Sequence, residues 1–409
     1  MSPRIAITGM GLVSPLGLDV PTYWRRLLAG ESGVSFITDF PTDKLRTDIA
    51  ASVPGFDPSR YFPPRERDLY GRVSRLAVAA AEEAVTNADL DGVDRDKIGV
   101  LVSTGQGAVE IFEAQIKRSM DRGPRAVSPY FIPGVMLNAV SALVAIRHRL
   151  KGPSFNIASA CATASHSIAV GCMMIILGDA DVVLAGGAEA ATMLNTVAGF
   201  GNARALAKAY QGDPKRASRP FDVDRSGFVM GEGAGVVVLE SEEHAKRRGK
   251  RPLGYVVGWG MSSDAEHITR PPPDGSGLRL AIERALARAG IGPADVGYIN
   301  PHATSTPQGD IAEYQSMLQV FGDLLPKIPI SATKSMIGHL LGAAGAAEGI
   351  ATILSLRDQR VHPSINVDKL DPVFNLDVVQ QARDVKMRYA ISNSAGFGGH
   401  NCVLVLERP

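Results

Sequence analysis

RIAITGMGLVSPLG, residues 4–17, and PLGYVVGWGMSSD, residues 252–264, follow one plan: a short apolar run passes into a glycine-rich turn. The likeness continues on either side. Residues 75–90, RLAVAAAEEAVTNADL, read as an amphipathic helix that leads into DKIGVLV at 96–102. Residues 278–290, LRLAIERALARAG, lead in the same way through IGPAD into VGYI at 296–299. FNIASACATA (155–164) and IPISATKSMIGHL (328–340) are each a strand and a small-residue turn followed by a long apolar helix. GEGAGVVVLE (231–240) and GFGGHNCVLVLE (396–407) close each half with a glycine-rich segment and a strand. Elements that recur in one order point to an internal duplication. Short β-branched runs alternating with helices imply βαβ units, with helices layered around buried sheets. The repeat divides the chain into two expected units, residues 1–251 and 252–409.

The chain has 409 residues, 45% of them hydrophobic and 21% charged, with a formal net charge of +1. That balance argues against a nucleic-acid binder, which carries a basic excess or stripe. Three widely separated cysteines, Cys161, Cys172 and Cys402, fit a reduced compartment better than a disulfide framework or zinc site. The N-terminal residues lack the basic and apolar regions of a signal peptide. The apolar run Ile168–Leu177 is shorter than the ~20 residues that span a bilayer. A soluble, cytoplasmic protein is expected.

Cys161 lies where a strand ends and an almost wholly apolar helix begins. Unpaired N–H groups and the dipole at a helix N-terminus favour a thiolate, and Ala160, Ala162 and Ala164 leave room for a substrate. Cys172 lies inside that helix and Cys402 in a strand run, the usual inert setting of a free cysteine. In the second half, strand ends deliver His302 in NPHATSTPQGD, and Lys334 and His339 in SATKSMIGHLLGAAG. Strand ends of this kind are where α/β folds bind ligands.

These motifs, together with PFDVDRSGFVMGEGAGVVVLE, GMSSDAEHIT and GFGGHN, resemble the β-ketoacyl-acyl-carrier-protein synthases, specifically the chain-elongating branch with a Cys-His-His site. The resemblance runs from Ile5 to about Leu406. It implies the thiolase fold, duplicated βαβαβαββ halves in an α/β/α/β/α arrangement. It also implies a dimer, either a homodimer or a heterodimer with a chain-length-factor-like subunit, acting on an acyl carrier protein.

By the same resemblance, Cys161 carries the acyl group as a thioester, and the Cys161 and Phe397 amides form the oxyanion hole. His302 and His339 stabilise the enolate left when malonyl-carrier protein loses CO2. Lys334 pairs with Glu348, and Thr304 and Thr306 hold the phosphopantetheine arm. That arm comes with the carrier; no metal or tightly bound cofactor is implied. Arg65, Arg67 and Arg204 resemble carrier-docking positions. Arg270 stands where the family more often has Ser, and a cation there would meet the pantetheine phosphate.

Two further departures concern the acyl chain. Gln106 replaces an aliphatic pocket residue and Ala395 replaces a Phe, which together favour an unsaturated, oxygenated or long substrate. Two other readings share the fold. A thiolase acting on coenzyme A thioesters needs a second, C-terminal cysteine as base, and Cys402 is badly placed for it. A non-catalytic partner subunit of a heterodimeric polyketide synthase lacks the nucleophile.

Overall fold

In a computed structural model, residues 4–67 and 69–409 are described, without the side chains of Arg65 and Arg67. Each half runs strand, helix, strand, helix, strand, helix, strand, strand. In the first half these are Ile5–Val13, Arg72–Ala88, Ile98–Ser103, Ala139–His148, a single bridge at Ser154, Thr163–Leu177, Val182–Glu189 and Gly233–Ser241. In the second they are Gly254–Ser263, Ser276–Ala289, Val296–Asn300, Pro307–Phe321, Pro329–Ile330, Ala344–Asp358, Tyr389–Gly396 and His400–Glu407. Further helices, among them Val109–Arg122 and Leu194–Asn202, are added to the first half.

Hydrogen bonding continues through one ten-stranded sheet. The two half-sheets meet where Ile5–Ile7 pairs antiparallel with Gly254–Val256. The helices Thr163–Leu177 and Ala344–Asp358 pack on each other and reach strands of both halves, forming the middle layer. Arg72–Ala88 with Ala139–His148 covers one outer face, and Ser276–Ala289 with Pro307–Phe321 covers the other. The five-layer α/β/α/β/α arrangement is therefore present.

The outer helices sit unusually close to their strands, for a reason visible in the sequence. A Cβ on Gly11 would fall 1.9 Å from the Ala80 carbonyl oxygen, and one on Gly260 would fall 1.9 Å from that of Ala281. Alanine-rich helices, strong in helix propensity, thus lie directly on glycine backbone at the same point of both repeats. Arg72–Ala88 stops at Asp89 (φ +52°) and Ser276–Ala289 at Gly290 (φ +68°), each in the left-handed conformation that closes helices.

With the turn before it, the Cys161 helix gives an apolar stretch of 18 residues, Ala160–Leu177, longer than the run read from the sequence. It is the one helix among the described residues long and apolar enough to cross a membrane, and 56% of it is buried inside the protein. Its side chains pack into the shared core with Ile350, Leu404 and Val183.

Candidate active site

The repeat brings two equivalent turns together at the ends of the middle helices. Ala160–Ala162 precedes Thr163–Leu177, and Leu341–Ala343 precedes Ala344–Asp358. Both turns open on a non-glycine residue with φ +49°, Ala160 in one and Leu341 in the other. Cys161 is the central residue of the first turn, and Gly342 is its counterpart in the second.

Cys161 is partly buried, packed against the apolar cluster of Ala191, Val197, Phe228, Met230 and Leu341, which Phe200 also flanks. Burial pushes its thiol up to about 12, while Lys334 and the Phe397 backbone N–H pull the other way. The helix-terminus argument therefore does not decide its protonation: the apolar cover outweighs it, and the resting group is a thiol. Phe397 stands at the end of strand Tyr389–Gly396 with 38% of its surface exposed, its ring 6.0 Å from that of Phe200. Gly396 is required between them, since a Cβ there would meet the Cys161 amide nitrogen at 3.0 Å.

His302 and His339 face each other edge to face, with ring centroids 5.3 Å apart and planes at 86°. Phe228, which also packs near Cys161, lies 5.4 Å from the His339 ring. Burial, reinforced by Lys334, holds both imidazoles well below the ordinary histidine range, so both are neutral at pH 7. Lys334 Nζ lies 3.4 Å from His302 Nδ1. An ammonium can only donate, so that contact places the His302 proton on Nε2. Among the described residues neither ring nitrogen of the buried His339 has a hydrogen-bond partner. Lys334 also forms a buried ion pair with Glu348, whose carboxyl burial lifts to about 7. The pairing expected from the sequence is thus present.

Two carboxylates that sequence reading missed hold this arrangement. Glu313 accepts the His302 and Ala303 N–H groups, each at 2.7 Å, and the Asn393 side-chain amide at 3.0 Å. Glu189 accepts Thr104 Oγ1 at 2.7 Å and the N–H groups of Gly105, Gln106 and Gly342 at 3.1, 3.2 and 3.1 Å. An acidic residue closing the apolar strand VVLAGGAE was a readable signal for Glu189; Glu313 sits on a helix face with no such mark. Asn300 Oδ1, Glu348 Oε2, Ser392 Oγ and Asn393 Oδ1 are each buried without a hydrogen-bond partner among the described residues. Among the described residues no group of three or more His, Cys, Asp or Glu side chains could hold a metal.

The remaining candidates are more scattered. Thr304 and Thr306 share a hydroxyl contact of 3.1 Å in the loop after His302. Gln106 is half-buried rather than enclosed, and Ala395 is half-buried one residue before Gly396. Arg204 is exposed just past helix Leu194–Asn202, which carries Phe200. Arg270 is exposed in a loop whose Ile268 carbonyl accepts the Gly398 N–H at 2.7 Å, next to Phe397. Arg65 and Arg67 fall on the helical turn Pro64–Arg67, but their side chains, like all of Asp68, lie outside the described residues.

Comparison with known proteins places the chain in a family. Residues 2–245 match the Beta-ketoacyl synthase, N-terminal domain, and residues 253–368 the Beta-ketoacyl synthase, C-terminal domain. The chain is 43% identical over 410 aligned positions to a 3-oxoacyl-[acyl-carrier-protein] synthase 2 of Vibrio cholerae, covering 99% of each chain. Among solved structures it resembles the ishigamide ketosynthase/chain length factor, at TM-score 0.92 and 34% identity over 100% of this chain and 99% of that one. It also resembles a type II polyketide synthase ketosynthase solved with its acyl-carrier protein, at TM-score 0.93 and 30% identity over the whole of both chains. Matched along both halves, and at this identity over nearly its full length, the protein belongs to the beta-ketoacyl synthase family.

Proposed function

We propose that this enzyme, an acyltransferase of the condensing class, lengthens an acyl chain by decarboxylative Claisen condensation, in two half-reactions at one pocket. The acyl group leaves the phosphopantetheine sulfur of a carrier protein for Cys161: the Cys161 S–C bond forms, the pantetheine C–S bond breaks, and a neutral imidazole relays the Cys161 proton to the departing sulfur. Malonyl-carrier protein then enters and loses CO2, and its enolate carbon attacks the Cys161 thioester. The C–S bond breaks, restoring Cys161 and releasing β-ketoacyl-carrier protein. Preorganised donors act where charge develops. Phe397 and Cys161 N–H groups serve the tetrahedral oxyanion, and His302 Nε2–H and a His339 N–H serve the enolate oxygen.

The observation that carries this reading is the neutral histidine pair, with His339 unpartnered at both nitrogens. A buried imidazole left without partners costs stability, and a substrate oxygen supplies the missing one. Ala substitution at His302 or His339 is expected to lower malonyl decarboxylation by about 100-fold, the scale of one lost oxyanion donor, while Cys161 is still acylated. Intact-mass and CO2-release assays read the two steps separately. Native decarboxylation in both variants would overturn the roles.

A thiolase is disfavoured: Cys402 is fully buried opposite Ser394, and burial raises its thiol far above a useful base. Thr304 and Thr306 are proposed to hold the pantetheine arm, and Arg65, Arg67, Arg204 and Arg270 to meet the acidic carrier. Residues 1–251 and 252–409 are taken as the two units, acting as a dimer in the cytoplasm, in fatty acid or polyketide elongation. Gln106 and Ala395 favour an unsaturated, oxygenated or long chain, which a substrate series with Gln106→Ile would test. If both proteins prefer the same saturated chains, that preference fails.

A further inference from the structure

A second cleft lies behind the turn that carries Lys334. Its cavity is about 330 Å3, lined by Arg26 and Ser32 on one side and by Lys215, Arg216, Ile365 and Asn366 on the other. That volume falls at the low end of small-molecule sites, about 300–1,000 Å3.

Its cations keep unused donors. Arg26 gives Nε to Glu31 at 2.6 Å and Nη1 to the Leu16 carbonyl at 2.9 Å. Arg216 gives Nη1 to Gln211 at 3.2 Å and Nη2 to Asp368 at 2.5 Å. Arg26 Nη2, Arg216 Nε and Lys215 Nζ have no partner among the described residues. The one carboxylate on the lining, Glu31, is already engaged by Arg26. Asp368 lies outside the lining and is shared with the buried Arg219 at 2.8 Å. Three cations thus border the cavity; Arg26 is paired with Glu31, Arg216 shares Asp368 with Arg219, and Lys215 has no carboxylate of its own among the described residues.

Both walls are tied to the catalytic turn. Gly33 N–H reaches the Met336 carbonyl at 2.8 Å, and Ile365 N–H reaches Ser335 Oγ at 3.0 Å. Asn366 Nδ2 bonds the Lys215 and Ser218 carbonyls at 2.9 and 2.8 Å, and Ser218 Oγ donates to the Lys334 carbonyl at 2.7 Å. Consecutive residues 334, 335 and 336 are therefore each held from a wall of the cleft.

The geometry points to a binding site for a phosphate-bearing small molecule, held by Arg26, Lys215 and Arg216, whose occupancy is felt at the Lys334 turn. One unengaged guanidinium nitrogen from each arginine and the lysine ammonium suit the several oxygens of a phosphoryl group, and the cavity has room for more than one such group.

The test is calorimetric titration of the full-length protein with inorganic pyrophosphate at low ionic strength, with citrate as the carboxylate arm. In parallel, intact-mass spectrometry follows alkylation of Cys161 by iodoacetamide, a readout independent of the condensation chemistry. One saturable site per chain is expected for pyrophosphate, weakened about tenfold or more by Lys215→Glu or Arg26→Gln, with citrate binding more weakly. Saturating pyrophosphate should change the alkylation rate in the native protein and leave Lys215→Glu unaffected. Lys215 has no side-chain partner to lose, so that variant keeps its fold. Absence of saturable binding, undiminished binding in Lys215→Glu, equally tight citrate, or an unaltered alkylation rate would each overturn the proposal.

Discussion

Cys161 stands in two opposing fields. The turn that begins its helix, the Phe397 N–H and Lys334 all favour a thiolate, whereas the apolar cover of Phe200 and Phe228 opposes charge of either sign. The cover prevails, which separates this thiol from those activated in the resting state. On the proposed mechanism its reactivity is switched on by the arriving substrate, whose carbonyl draws the sulfur while His302 or His339 relays the proton. A resting thiol near 12 makes a specific prediction. The iodoacetamide alkylation rate of Cys161, read by intact mass, should climb about tenfold per pH unit from pH 7 to 10 without levelling. The sign follows because a raised thiol pKa leaves the thiolate a minority that grows with pH throughout that range. A plateau below pH 8 would show a thiol lowered by its surroundings instead.

Among the elements, the duplication was the most legible feature, because both halves kept its period and punctuation. GMG in strand Ile5–Val13 and GWG in strand Gly254–Ser263 were readable as equivalents, and the helices on them share alanines at matching turns. What those glycines do was not legible: helix and strand lie far apart in sequence, and only their approach shows that no Cβ fits. The same distance hid the equivalence of Cys161 and Gly342, because a longer connection carrying Lys334 and His339 intervenes in the second half. It also hid the thiol's burial, since its aromatic cover comes from three separate segments, at 200, 228 and 397. Local signals placed His302 and Lys334 just past strand ends, whereas His339 lies beyond the intervening helix Lys334–Ile337, and they could not find Glu313, whose partners are mainly backbone groups of the His302 loop. The glycine contact predicts its own test. Gly260→Ala and Gly11→Ala force a methyl against a helix carbonyl, so each should lower unfolding free energy by about 1–3 kcal/mol or more, measured by urea titration. Native midpoints in both would mean that the helices ride off their strands freely.

At the scale of the whole molecule, one surface lacks a partner within the chain. Helix Val109–Arg122 buries none of its residues, yet it carries Phe112, Ile116 and Met120 on one stripe. Met120 is 82% exposed, and Tyr130, Ile132 and Met136 are exposed in the segment that follows. Contiguous apolar surface of this kind marks an interaction site, and a second subunit of the same fold is its proposed occupant. The position matters for chemistry as well as assembly. Gly107, beside Gln106, lies where a Cβ would sit 3.0 Å from Leu137 Cδ2 and 3.1 Å from the Val135 carbonyl. The turn bearing Gln106 is also fixed to the Cys161 region by Glu189. A partner on this face would therefore press on the turn proposed to border the acyl pocket, and an identical subunit and a chain-length factor would shape it differently. Replacing Ile116 and Met120 together by Lys removes two apolar anchors, each worth about 1.5–3 kcal/mol when buried. Sedimentation velocity should show the dimer falling to a monomer at micromolar concentration, with Cys161 alkylation nearly unchanged and acyl-chain selectivity broadened. A double variant that sediments as the native assembly would move the interface elsewhere on the molecule.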